Sequence, residues 1–427
     1  MSRAAAHDVL IRARWVVPML GPPLAGGWLR IRRGRVVDLG ADRRHGRPTA
    51  AATIDAGDAV VIPGLVNAHT HLEFSDVERP LDAGGGLPDW IGRVITARRT
   101  RMAAGGADAC VAAAVRRGLA ESAACGVTAV GEIATAVPSD GYPASGPRLR
   151  VYREALGLSS AAAATAGRAA VRDLDRLQSR GVAAGLSPHA PYSVTAPLAR
   201  DLARAARRRR APLAAHIAES SAEAELLRDA GGPFRELFDR LGIWPPAADP
   251  ELLPAAEWIS LLARGLRGML VHGTHLDRDE HALARLARHR ERVGVAVCPR
   301  TTRAISGVLP PVHLFRAAGI RVAIGTDSRA SSPDLSVLEE CRTLVAGGCA
   351  SPVEALRMAT IDAAWAIGFE RVCGLLAPGR PADLAILTAA ATNRDAHEAI
   401  LDPAARVVAT LRGGRLIAGA LPPSAAG

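Results

Sequence analysis

The chain has 427 residues and 49% apolar residues but only 3% aromatics, so its core must be built mainly from Ala, Leu, Val and Ile. That length holds one large α/β barrel with a small extra domain, or two or three average domains. The formal net charge of +11 comes entirely from arginine, because the chain contains no lysine; this excludes Schiff-base chemistry, a phosphate-loop lysine and a carbamylated lysine bridging two metals.

The positive charges are dispersed and aromatic interleaving is nearly absent. The densest run, Arg207–Arg210, closes an Ala/Arg/Leu helical pattern and reads as a solvated helix end, so no nucleic-acid partner is expected. No window approaches 18 apolar residues, which argues against a membrane span. The start lacks the features of a secretion signal, and a cytoplasmic location is the expectation. The six cysteines form no Cys-x-x-Cys pair and read as free thiols.

In chain order, residues 7–62 alternate short apolar runs with Gly/Pro punctuation and read as short antiparallel strands. Residues 378–427 do the same, with Gly413-Gly414 as a hairpin signal. The two β-rich ends are expected to pair into one small β-sandwich domain (1–62 with 378–427) around a barrel at 63–377. The middle repeats a strand-then-helix rhythm. Eight strands are expected at 60–71, 127–133, 149–156, 183–189, 212–219, 269–275, 293–299 and 322–327. Eight such units match a TIM (β/α)8 barrel; an open doubly wound sheet is the competing architecture. The barrel is favoured because almost every strand ends in His, Glu or Asp, at the face where barrel active sites lie.

The first barrel strand carries His69-Thr-His71. Residues i and i+2 share one face of a strand, which makes two imidazoles a suitable pair of metal ligands. The fourth strand ends at His189, the fifth delivers His216 and then Glu219, the sixth His272, and the eighth Asp327. Each also has a structural reading, Asp327 as a helix N-cap and Glu219 as a first-turn acid among them. Taken together, three imidazoles and a carboxylate suit zinc or another borderline divalent ion. Such an ion lowers the pKa of bound water from 15.7 to about 7. Asp327 can bind the ion and hold the water's proton, His272 can orient the water, and Glu219 can carry a proton to a ring nitrogen. A site of this kind hydrolyses an electron-poor C–N bond on an aromatic ring.

These motifs resemble the amidohydrolase superfamily, in the branch holding adenosine, cytosine, guanine and S-adenosylhomocysteine deaminases and triazine hydrolases. The resemblance rests on Pro63-Gly64-Leu-Val-Asn67-Ala-His69-Thr-His71, His189-Ala-Pro-Tyr192, His216-Ile-Ala-Glu219-Ser, His272 and Gly325-Thr-Asp327-Ser, all in order. It implies one metal, Zn²⁺ or Fe²⁺, held by His69, His71, His216 and Asp327. It implies Glu219, His272 and Asp327 as catalytic groups and His189 as a substrate contact. The stretch Leu72-Glu73-Phe74-Ser75, with Trp90 downstream, is similar to aminodeoxyfutalosine deaminases, which act on a 6-aminopurine nucleoside. Under that resemblance Glu73 and Trp90 face the substrate, and Arg300 of Cys298-Pro-Arg300 meets a substrate carboxylate; the competing readings are a Glu73 that only orders its loop and an Arg300 held in a structural salt bridge. The expected partner is a small heteroaromatic substrate; a homodimer is compatible with this. The alternatives are a triazine-type chlorohydrolase or N-alkylaminohydrolase, and a non-catalytic binding homologue.

Overall fold

A computed structural model of the chain describes residues 8–42, 49–103, 107–390 and 395–421. Two sheets organise it. The first contains β1 (Asp8–Val16), β2 (Leu24–Arg32), β3 (Arg35–Ala41), β4 (Ala52–Asp55) and β5 (Val60–Pro63). The second is a barrel of β6 (Leu65–Thr70), β7 (Val127–Ala134), β8 (Arg148–Ala155), β9 (Ala183–Pro188), β10 (Leu213–Ile217), β11 (Gly268–His272), β12 (Val293–Val297) and β13 (Val322–Ile324). The chain then returns to the first sheet as β14 (Leu384–Leu387), β15 (Val407–Arg412) and β16 (Arg415–Gly419).

The first sheet runs β16-β15-β14-β5-β1-β2-β3, with β4 beside β1. Both ends of the chain therefore share one sheet and one core, in which Ile11, Leu29, Ile31 and Val61 pack with Leu384, Ile386 and Leu411. The pairing differs from the all-antiparallel expectation at one place. β4 and β5 lie along successive lengths of the same edge of β1, both parallel to it. Two hairpins hold the ends together. Arg33-Gly34 and Gly413-Gly414 all have positive φ, the backbone of a two-residue turn matched to strand twist. The turns meet through Ala382, whose N–H donates to the Gly34 carbonyl and whose carbonyl accepts from Gly414.

The eight barrel strands are parallel and in sequential order. The ring closes between the ends of β13 and β6. Thr70 bridges Asp327, the His69 carbonyl accepts from the amides of Thr326 and Asp327, and the His71 amide donates to the Asp327 carbonyl. Small and branched residues fill the interior, among them Val66, Ala68, Ala129, Ala214, Val271, Ala296 and Ala323. This is how a chain poor in aromatics still packs a barrel. Above the strands' C-terminal ends, the sparse aromatics gather in a second cluster containing Phe74, Trp90, Tyr192, Phe234, Phe238 and Trp244. Among the described residues no helix is long and apolar enough to cross a membrane.

All eight expected barrel strands are present, and one boundary is corrected. The stretch 60–71 is not one strand but two, β5 in the first sheet and β6 in the barrel. The break is at Gly64. Its amide donates to the Asp383 carbonyl, and a Cβ there would lie 2.2 Å from the Thr128 side chain. Gly64→Ala is therefore expected to cost about 1–3 kcal/mol of overpacking, read as a lower midpoint in chemical denaturation.

Candidate active site

Each polar group at the barrel mouth is delivered by a short, buried strand. His69 lies within β6 and His71 just beyond it; His216 lies within β10, His272 ends β11 and Asp327 follows β13. All five are buried. His71 Nε2 lies 3.3 Å from His216 Nε2, and Asp327 Oδ1 lies 3.5 Å from His69 Nε2 and 3.6 Å from His71 Nε2. Donor atoms of His69, His71 and Asp327 all lie within 4.8 Å of one another, as do those of His69, His216 and His272. The expected ligands therefore converge, and His272 stands beside them.

Neighbouring bonds orient the rings. His216 Nδ1 donates to the His189 carbonyl at 3.0 Å, which leaves the lone pair on Nε2, facing the cluster. Asp327 Oδ2 accepts from Ser331 Oγ at 2.6 Å, leaving Oδ1 toward His69 and His71. Burial, reinforced by neighbouring imidazoles, presses His71 and His216 well below the ordinary histidine range. Burial also brings His272 down to about 4 and His189 to about 3. Burial acts to raise Asp327, but the close approach of His69 and the fields of His71 and His272 win, and its carboxyl is held below the usual range. His71 and His216 are thus neutral imidazoles beside an ionised carboxylate, the state that metal ligation requires. No hydrogen bond reaches either ring nitrogen of His69 or Nδ1 of His71, although all are buried. Unmet polar atoms of this kind call for a partner, and the donor set fits a divalent ion of the zinc type.

Glu219 follows β10 and is buried, with Oε1 3.3 Å from His272 Nε2. Burial, with Asp327 and Glu223 nearby, raises its carboxyl well above the ordinary range. Its position is set by Glu223, on the first turn of the helix Ser221–Asp229, whose two carboxylate oxygens accept from the amides of Ala218 and Glu219 at 2.9 and 3.0 Å. Burial pushes Glu223 up to about 7 against those two donors. The backbone is left-handed at Ala218 (φ 55°), His272 (φ 67°) and Asp327 (φ 58°). Strain of this kind at non-glycine residues is held where function requires a turn the strand would not make. Glu223→Ala removes the acceptor for two buried amides. It is expected to cost about 1–3 kcal/mol and to lower kcat more than it raises KM, checked by denaturation and steady-state kinetics.

The cluster forms the floor of a cavity of about 510 Å³. Its wall includes His71, His216, Glu219, His272 and Asp327, together with His189 and Trp90 as expected. His189 is oriented by a 2.6 Å hydrogen bond from Nδ1 to Ser193 Oγ. Trp90 is held by its Nε1, which donates to the Ala330 carbonyl.

Two expected substrate contacts are placed elsewhere. Arg300 does not line the cavity. Its guanidinium donates to Glu340 Oε1 at 2.6 Å and Asp334 Oδ1 at 2.7 Å, and its amide to Glu340 Oε2. The fully buried Glu340 needs a cation, and Arg300 satisfies it. Glu73 likewise stands behind the wall, accepting from Arg98 at 2.5 Å and from Thr135 at 2.9 Å. Arg98, on the helix Gly86–Ala103, and Glu154, at the end of β8, reach the cavity instead. Glu154 stands one residue before the end of its strand, so the strand-end criterion that selected His189 and His216 would have found it. No pattern in the sequence marks Arg98.

The amidohydrolase family model matches residues 60–417. The chain is 30% identical over 396 residues to the 5-methylthioadenosine/S-adenosylhomocysteine deaminase of Moorella thermoacetica, covering 89% of this chain and 85% of that protein. It is 32% identical over 306 residues to the aminodeoxyfutalosine deaminase of Deinococcus radiodurans, covering 68% of each. The solved structure of an adenosine deaminase from Xanthomonas campestris with bound zinc superimposes with a TM-score of 0.75 at 24% identity, over 96% of this chain and 92% of that one. With the His-x-His strand, the strand-end His and Asp residues and the closed parallel barrel all in place, the chain belongs to the amidohydrolase family.

Proposed function

We propose that the protein is a metal-dependent deaminase of a 6-aminopurine nucleoside, with one divalent ion, zinc, held by His69, His71, His216 and Asp327. One observation carries this reading: three buried imidazoles and an ionised carboxylate meet at the floor of an apolar cavity, with Glu219 and His272 paired beside them. The relatives that act on adenosine-like compounds support the substrate class. When bound, the ion supplies a Lewis acid that makes water a nucleophile near neutral pH.

The chain's own groups do the rest. Hydrolysis forms a C–O bond at the ring carbon bearing the amine and breaks its C–N bond; water is consumed and ammonia leaves. Asp327, with one oxygen held by Ser331 and the other facing His69 and His71, takes one proton of the water and passes it to the departing amine. Glu219 gives its proton to the adjacent ring nitrogen and recovers one from the hydroxyl left on the ring carbon as the C–N bond breaks. His272, 3.3 Å from Glu219, fixes that carboxyl and faces the oxygen being added. His189 and Trp90 line the cavity where the base would lie.

The cavity's character bears on the group at C5′. Phe74, Ile91, Val94, Leu158, Phe238 and Ile243 line it, and its only lining cation among the described residues, Arg98, is already bound to Glu73. This favours a nucleoside with an uncharged, apolar C5′ substituent. The identity with an aminodeoxyfutalosine deaminase favours a substrate carrying a carboxylate. Ammonia release from the zinc-loaded protein on adenosine, 5′-methylthioadenosine, aminodeoxyfutalosine and an aminotriazine separates them. The expected result is turnover of the purine nucleosides, with 5′-methylthioadenosine above aminodeoxyfutalosine. Turnover of the triazine alone would overturn the nucleoside reading.

A further inference from the structure

One carboxyl in the cavity has no part in the chemistry above. Glu154, at the end of β8, is 2% exposed, lines the cavity, and has its Oε1 buried with no hydrogen-bond partner. An unmet buried carboxyl costs stability and persists where something else meets it. Arg98 shows the complementary feature on the same cavity wall. Its Nη2 donates to Glu73 and Thr135, while its Nε is buried without a partner. Phe74, Val94, Ile95 and Leu158 line the same cavity, and ring nitrogens of His189 and His216 lie within 4.8 Å of a Glu154 oxygen. One unmet acceptor and one unmet donor on residues lining the same cavity suit a group that both donates and accepts, which is a hydroxyl.

Resting on the nucleoside reading above, we propose that Glu154 and Arg98 bind a ribose hydroxyl of the substrate, the hydroxyl donating to Glu154 Oε1 and accepting from Arg98 Nε. Glu154 is then the residue that sets the preference for ribonucleosides over deoxynucleosides. A site built to hydrogen-bond a substrate hydroxyl discriminates strongly against the analogue lacking it, because its own polar groups are left unpaired.

The test is kcat/KM of the zinc-loaded protein on adenosine, 2′-deoxyadenosine and 3′-deoxyadenosine. Wild-type protein is expected to lose at least about a hundredfold on one deoxy analogue. In Glu154→Leu, adenosine should fall to the level of that analogue and the discrimination should vanish. Glu154→Gln keeps an acceptor in place and should retain part of the preference. Both variants should fold and bind as much zinc as wild type, with Glu154→Leu melting no lower, since it replaces an unpaired carboxyl with an apolar side chain. Equal turnover of all three nucleosides by wild type would overturn the proposal while leaving the deaminase reading intact. Discrimination that survives in Glu154→Leu would also overturn it. So would a loss of bound zinc in that variant, which would make Glu154 a ligand with His189 and His216, whose donor atoms share a 4.8 Å cluster with it. Ammonia release from none of the three nucleosides would overturn both readings together.

Discussion

Glu219→Gln is expected to lower kcat by about 10²–10⁴-fold, the usual contribution of a positioned acid–base group, with bound metal unchanged. The substitution keeps the shape of the side chain and its neighbour His272 at 3.3 Å but removes the group that can give up and regain a proton. Glu219 carries no expected ligand role, so metal content measured on the same preparation should match wild type. KM should move little, because a group that acts on the proton in flight contributes mainly to the transition state. A loss of metal in this variant would show that Glu219 belongs to the ligand set, and the assignment of roles between it and His272 would be exchanged.

Removing the metal should produce the largest change in stability. Chelator-treated protein is expected to lose activity. Returning zinc at about a hundred times its Kd should restore activity and add about 2.7 kcal/mol of stability by mass action, read as a rise in melting temperature. The reason lies in the floor of the cavity, where the ring nitrogens of His69 and Nδ1 of His71 are buried without partners. An ion held by Nε2 of His69 and His71 would sit beside the Asp327 carboxylate, whose Oδ1 lies 3.5 and 3.6 Å from those atoms. His69→Ala should abolish the zinc-dependent rise while leaving the chain folded. A rise that persisted in that variant would place the ion elsewhere.

Part of this was legible along the chain. His69-Thr-His71 could be read as a ligand pair because alternation along a strand is a local property. His189, His216, His272 and Asp327 could be found because a barrel brings the ends of parallel strands together, so an ordered series of strand-end polar residues predicts one site. The Gly413-Gly414 turn was readable for the same reason, since two positive φ angles in succession depend only on the residues present. The break at Gly64 was not readable. The apolar run continues through it, and only the approach of Thr128 and the Asp383 carbonyl shows that one run serves two sheets.

The substrate wall divides in the same way. Residue types and their spacing along the chain by themselves determined the barrel and the strand-end imidazoles and carboxyls that meet at its mouth, because each rests on periodicity or on chemistry that one residue carries alone. What only the tertiary structure decided is which charged side chains are free to meet a substrate. Arg300 and Glu73 have the right chemistry, but Glu340 and Asp334 engage the first, and Arg98 and Thr135 the second. Glu154 has the same chemistry and stays without a partner in the cavity wall. A charge in a sequence has no address until its counter-ion is placed, and ion pairing inside a protein joins residues tens to hundreds of positions apart, as Arg300 with Glu340 and Arg148 with Asp383 do here.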